Sequence, residues 1–300
     1  MLNKVKEILS KYYTDKDINK IISGYQVNRY TTIRINNIKS NREEIIKVLD
    51  KENIKYQDVS WYKDALIILD KDEEYLTKLD IYKEGKIYLQ SLSSMIPPLV
   101  LDPKEGSQVL DMCAAPGGKT SEIASITNNN VMITAIEKNK IRYDRLKYNL
   151  DKQGVKKYTI LNIDSNELNE YMKFDYILLD TPCSGSGTYK IDNIKIDDDY
   201  LNKLNNTQER LLKKAISMLK KDSILVYSTC SIYKEENEYI INKILNNKDL
   251  EIVPIEGFDN IDTLPVSIKG SLCVCPNEYY EGFYVIKIKK ARWNYASIVW

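Results

Sequence analysis

The chain has 300 residues, 43% of them apolar and 29% charged, a composition that excludes a disordered polymer and suffices for one large domain plus a small one. Its 44 Lys and Arg balance 43 Asp and Glu, so net charge gives no argument for a nucleic-acid partner and any basic surface has to be local. The lack of any His excludes Ser-His-Asp and Cys-His catalysis and every His-containing metal site within the chain, leaving acid–base work to Asp, Glu, Lys, Tyr or Cys.

The opening MLNKVKEILSKYY has no signal-peptide core, and no apolar run is long enough to span a bilayer, so no membrane partner is expected. Leu2–Tyr12 and Arg42–Lys51 carry apolar residues at helical spacing, whereas Thr31–Ile35 and Ala65–Leu69 have strand character. Residues 1–85 are therefore expected to form a small α+β domain, and residues 86–300 a catalytic one. From about Gln108 the pattern becomes regular. The runs VLDM (109–112), VMITAIE (131–137), YTIL (158–161), YILLD (176–180) and ILVYSTC (224–230) have the look of buried strands. Helical patterns lie at Asn139–Gln153, Tyr200–Lys220 and Lys234–Asn246, and GFYVIKIKK (282–290) adds a last strand. Alternation of this kind predicts a mostly parallel, doubly wound α/β sheet.

Within VLDMCAAPGGKTSEIA (109–124), Gly-Gly-Lys-Thr suggests a phosphate loop. That reading fails at two positions. Cys113 stands where the first Gly of the loop is required, and Pro116 removes an N–H from the middle of the cradle. What remains is a strand, a glycine turn and a helix at the carboxyl edge of a parallel sheet, where open α/β proteins bind ligands. Glu137 ends the second strand, where an acid can take both hydroxyls of a ribose, and Asp164 follows the third, where it can accept from an adenine amino group. An adenosyl pocket without a phosphate site fits S-adenosylmethionine.

Strands four and five end in DTPCSGSGT (180–188) and YSTCS (227–231), so each presents a cysteine at that edge. A methyl donor beside a thiol suits carbon 5 of a pyrimidine, which is too weak a nucleophile until a thiolate adds at carbon 6. A second cysteine can assist the later release, and Asp180 can hydrogen-bond N3 and the exocyclic amine, selecting cytosine. Five cysteines without regular spacing, Cys273 and Cys275 among them, suggest neither a disulfide scaffold nor a metal site, and a reducing cytoplasm is expected.

DMCAAPGGKT, DTPCSGSGT, YSTCS and KEENE (234–238), in this order, resemble the motifs of the RNA (cytosine-5) methyltransferase family, which includes bacterial Sun-type rRNA enzymes and archaeal and eukaryotic tRNA enzymes. IYLQSLSSMIPPLVLDP (87–103), EGFYVIKIKK (281–290) and, more weakly, RIN (34–36) extend the resemblance. It implies a Rossmann-like class I methyltransferase sheet with an antiparallel last strand. It also implies that Cys113, Ala114, Ala115, Pro116, Gly117, Gly118 and Lys119 line the cofactor, that Glu137 holds the ribose with Arg142 nearby, and that Asp164 sits against the adenine. Asp180 faces cofactor and base, beside Lys119. The resemblance also orders the two thiols: Cys230 as nucleophile, Cys183 for product release. The stretch after CSGSGT departs from the family, with Lys190, Ile191 and Asn193 where a basic pair and a later Pro are common.

An RNA substrate is expected, tRNA favoured over rRNA because the N-terminal region is short, with a monomeric enzyme. Candidate RNA contacts are Arg29, Arg34, Lys39, Lys287, Lys289, Lys290 and Arg292, with Tyr12, Tyr13, Tyr25 and Tyr30 for stacking. A DNA cytosine-5 methyltransferase is a rival, but EENE (235–238) is not the Glu-Asn-Val it would carry. A non-catalytic RNA-binding factor is another, opposed by intact Lys119, Asp180, Cys183 and Cys230.

Overall fold

The computed structural model describes residues 2–190 and 198–291. It opens with helices α1 (Leu2–Leu9) and α2 (Asp15–Gln26). The second is not among the expected elements, although the Thr14 side chain accepts from the Asp17 N–H and the Asp17 side chain accepts from the Thr14 N–H, a reciprocal cap that starts a helix. Both helices and the turn between them send Val5, Leu9, Tyr13, Ile21 and Tyr25 into one apolar cluster with residues of the large sheet, so they pack on the large-sheet body.

A small antiparallel sheet follows, built from β1 (Thr31–Ile35), β2 (Tyr56–Asp58), β3 (Ala65–Ile68) and β4 (Ile87–Leu89) in the order β2-β3-β1-β4. Helices α3 (Arg42–Lys51), α4 (Glu73–Lys78) and α5 (Asp80–Lys83) accompany it. Ile45 and Leu49, four apart on α3, fill its core with Ile33, Ile35 and Leu66. Because β4 pairs with β1, this sheet continues past residue 85, where the change of sequence pattern places a boundary.

Helix α6 (Leu92–Leu101) is apolar nearly all round and buried. The large sheet then takes β5 (Gln108–Asp111), β6 (Met132–Ile136), β7 (Tyr158–Leu161), β8 (Phe174–Asp180), β9 (Leu219–Thr229), β10 (Leu250–Val253), β11 (Leu272–Val274) and β12 (Phe283–Lys290). Helices α7 (Gly118–Ile126), α8 (Lys140–Gln153), α9 (Asp198–Met218) and α10 (Glu238–Asn242) connect them. The order is β10-β12-β9-β8-β5-β6-β7, with β11 paired to β12. From β7 through β9 all pairings are parallel, and β12 runs antiparallel beside β9. This is the class I methyltransferase sheet. Strand order reverses between β5 and β8, which opens a crevice at their carboxyl ends.

Two expectations change. The helix expected over Lys234–Asn246 shortens to α10, because Glu236 and Asn237 turn inward and are buried in hydrogen bonds to other segments. The register pairs Tyr284 with Thr229 and Lys290 with Ser223. Lys289 and Lys290 therefore lie toward the amino edge of the parallel strands, away from the cysteines, whereas Lys287, opposite Val226, sits half-buried in mid-strand. At the amino edge Lys289 pairs with Glu251 and Lys290 donates to the Ile216 and Leu219 carbonyls, so these lysines are not contacts for an RNA base at the catalytic edge.

Candidate active site

The cofactor turn is set by β5 and α7. Asp111 ends the strand fully buried, and its carboxylate accepts from Thr120 Oγ1 at 2.7 Å, tying strand end to helix start. Burial pushes the Asp111 carboxyl up to about 6. Between them Ala114 N–H donates to the Ile136 carbonyl, the Ala115 carbonyl accepts from Arg142, and the Pro116 carbonyl accepts from Asn149. Gly117 caps α7 at φ +106°, and a Cβ there would stand 3.0 Å from Leu146 Cδ1. Gly117→Ala is therefore expected to destabilise the chain by about 1–2 kcal/mol in chemical denaturation, the cost of an L-residue at such a φ, and to displace the turn.

Beside the turn, Glu137 is 5% exposed, with Oε1 accepting from Asn139 N–H at 2.8 Å and Oε2 paired with Arg142 at 3.2 Å. Asp164 lies across the same cleft, whose walls include Met112, Ile136 and Ile163. Its carboxylate accepts from Asn166 and faces Lys138 at 3.7 Å; burial opposes ionisation there, but these partners outweigh it and hold the pKa below its ordinary value. A slot with apolar walls and two acids fits an adenosine, and its two basic residues, Lys138 and Arg142, are paired with those acids. Among the described residues no group of three His, Cys, Asp or Glu is placed to hold a metal ion.

Cys113 lines this cleft and a second, more polar one, which Lys119, Asp180, Gln90 and Ser94 also line. Lys119 Nζ stands 2.8 Å from Asp180 Oδ2, donates to Ser94 Oγ at 2.7 Å and lies 5.4 Å from the centre of the Phe283 ring. Burial works against its charge, but Asp180 more than compensates, so the ammonium is retained above its ordinary pKa. Ser228 Oγ donates to the other Asp180 oxygen at 2.7 Å, which fixes the carboxylate plane. Cys183 and Cys230, from the loops after β8 and β9, meet with their sulfurs 3.1 Å apart, both free and both partly accessible. The Cys183 thiol is pushed well up by its hydrogen bond to Cys230 and by burial, which keeps a proton on it.

Several residues take other places than the sequence reading gives them. Arg34 is wholly buried: it donates to Gln90 Oε1, the Gly118 carbonyl and Ser121 Oγ, and pairs with Glu122 at 3.3 Å. It therefore fastens the small sheet to α7 and is no RNA contact. Tyr13 and Tyr25 are buried too. Their hydroxyls donate to the Ile232 and Ser186 carbonyls, within the two cysteine loops, so neither is open to a base. Tyr12 donates to Glu235, Arg29 is half-buried against the Tyr280 carbonyl, and Lys39 donates to the Glu84 carbonyl. Tyr30 remains 39% exposed and stacks on Tyr279. Ile191, Asn193 and Arg292 lie outside the described residues. Sequence reasoning assigns no role to Gln90 or Glu122. Glu122 carries a signal in retrospect, a lone acid among the small buried residues of Thr120–Ser125.

Residues 98–289 match the model of the family described as 16S rRNA methyltransferase RsmB/F. The chain belongs to that family. Similar RsmB/F relatives include the 26S rRNA (cytosine-C(5))-methyltransferase nsun-1 of Caenorhabditis elegans, 33% identical over 87% of this chain and 42% of that protein. Another is ribosomal RNA small subunit methyltransferase F of Shewanella frigidimarina, 32% identical over 86% of this chain and 56% of that one. The chain thus spans about half the length of these curated relatives. A solved methyltransferase homologue from Pyrococcus horikoshii is of matching extent: 31% identity, a TM-score of 0.82, and 95% of this chain on 98% of that one.

Proposed function

We propose that the chain transfers a methyl group from S-adenosylmethionine to carbon 5 of a cytosine in ribosomal RNA. The observation that carries this is the pair of free cysteines 3.1 Å apart at the carboxyl edge of the sheet, next to the strand end that presents the Lys119–Asp180 pair. Bound in the cleft along Glu137 and Asp164, S-adenosylmethionine supplies an electrophilic methyl group. The residues of the chain do the rest. The Cys230 thiolate adds to carbon 6, and the displaced ring electrons make carbon 5 nucleophilic. Asp180 accepts from the exocyclic amine while the Lys119 ammonium stabilises the negative charge that reaches the ring. After methylation the carbon-5 proton leaves, the C6–S bond breaks, and Cys183 aids the step by giving its proton to the departing Cys230 sulfur and taking up the one from carbon 5.

The choice of rRNA is supported by the names of the curated relatives. The preference for tRNA that the short N-terminal region suggests has no such support. A flat ring must present its face to Cys230, so the target base has to be unstacked or in a loop. The test is incubation with methyl-labelled S-adenosylmethionine and separate rRNA, tRNA and DNA pools, followed by nucleoside mass spectrometry. Label is expected as 5-methylcytidine in rRNA. Label in tRNA alone overturns the choice of RNA, and no label in any pool overturns the enzyme.

A further inference from the structure

The acid-rich stretch Lys234–Glu238 has the look of solvated surface, yet Glu236 is completely buried. Its Oε1 accepts from Ser184 N–H at 2.8 Å and from Gln208 Nε2 at 3.3 Å; its Oε2 accepts from Ser184 Oγ and Ser231 Oγ, both at 2.5 Å. Four donors on two oxygens are what an ionised carboxylate, an acceptor only, requires. Lys234 pairs with Glu238 at 3.1 Å, and among the described residues no Lys or Arg forms an ion pair with Glu236. Its charge is therefore balanced by hydrogen bonds and not by a cation.

Ser184 and Ser231 each directly follow one of the two cysteines. Further bonds join the same loops: Ser186 Oγ lies 2.7 Å from Ser231 Oγ, and Gly187 N–H donates to the Cys230 carbonyl. Charge is distributed unevenly over the pair. Glu236, bonded to the residue that follows Cys183, adds its negative charge to the Cys230 hydrogen bond and the burial that push the Cys183 thiol up, whereas Cys230 and Lys119 act on each other electrostatically. The other titratable groups facing Cys183 are Tyr189 and Tyr227, both kept neutral by burial.

We propose that Glu236 is a positioning residue that clamps the two cysteine loops together and, by a negative charge that no cation neutralises, helps to hold the proton on Cys183 so that Cys230 carries the thiolate. A second anion beside Glu236 is disfavoured, and the sulfur on the Lys119 side is left to ionise. The inference rests on the methyltransferase reading for its purpose, but its test does not. Wild type and Glu236→Gln are treated with iodoacetamide across pH without RNA or cofactor, and alkylation of each cysteine is followed by peptide mass spectrometry. In the wild type Cys230 is expected to react at lower pH than Cys183. In Glu236→Gln, which keeps size and loses charge, the Cys183 midpoint is expected to fall by about one pH unit or more, a roughly tenfold gain in reactivity at a fixed lower pH. Cys230 should move less. Cys183 reacting first in the wild type overturns the proposal whatever the variants do, and so does an unmoved Cys183 midpoint in Glu236→Gln. Should that variant not fold, Glu236→Asp, with its charge one methylene farther away, is expected to shift Cys183 partway; no shift there counts against the proposal equally. Asymmetric alkylation without methyl transfer overturns only the proposed function, and methyl transfer without the shift overturns only the role of Glu236.

Discussion

Cys230→Ala is expected to reduce methyl transfer by at least about 10⁴-fold, because the proposed nucleophile is gone and the neighbouring Cys183 thiol keeps its proton. Binding of S-adenosylmethionine, measured by calorimetry, should be nearly unchanged, since the Glu137 and Asp164 cleft is untouched. Cys183→Ala is expected to behave differently. Addition and methylation proceed, but release loses its proton relay, so a covalent protein–RNA adduct should accumulate as a retarded band on a denaturing gel. The double variant should give no band. Adduct formation by Cys230→Ala, in place of Cys183→Ala, would reverse the assignment of the two sulfurs. The 3.1 Å separation makes the reversed assignment geometrically possible, so the experiment discriminates where distance does not.

Arg34→Met is the second large effect. Arg34 and Glu122 are both fully buried, and removing one partner leaves the other charge uncompensated, a loss of about 3–5 kcal/mol. Arg34→Met combined with Glu122→Leu should recover much of it, as apolar replacements of whole buried pairs commonly do. The single variant also has a pH signature. Burial already pushes the Glu122 carboxyl up to about 7, against the pull of Arg34, and without that pull it rises further. A carboxyl whose pKa is raised by folding holds a proton that the unfolded chain gives up, so its contribution is most favourable below the unfolded value and is lost as pH rises through the folded one. Arg34→Met should therefore be destabilised more at pH 8 than at pH 5, measured by urea denaturation at both. Equal losses at the two pH values would show that Glu122 does not respond to Arg34.

The large sheet is legible in the sequence because its central strands are buried on both faces and read as unbroken apolar runs. The three cysteine and glycine motifs are legible because they sit where those runs end. What escapes is of two kinds. β10 and β11 are short, LEIV and LCV, and lie within polar stretches that give no alternation to follow. The buried charges escape for the opposite reason. Arg34 occupies a short strand and Glu236 a run of acids, patterns that ordinarily face water, and only the three-dimensional structure supplies the partners that let them be buried. The lysines of β12 show the converse: their sequence has the character of a basic nucleic-acid face, but strand direction carries them toward the wrong edge of the sheet.

The hydroxyls of Tyr13 and Tyr25 reach from the N-terminal helices to the carbonyls of Ile232 and Ser186. These helices are thus a strut under the floor on which the two sulfurs stand. A chain trimmed to begin at residue 86, as the expected division into a leading module and an enzyme would suggest, removes two supports from the cysteine loops together with the apolar side chains that seat them. The helices serve the two sulfurs the way a foundation serves an instrument, by holding still what must not drift. Any attempt to exchange the small sheet for another module should therefore retain residues 2–26.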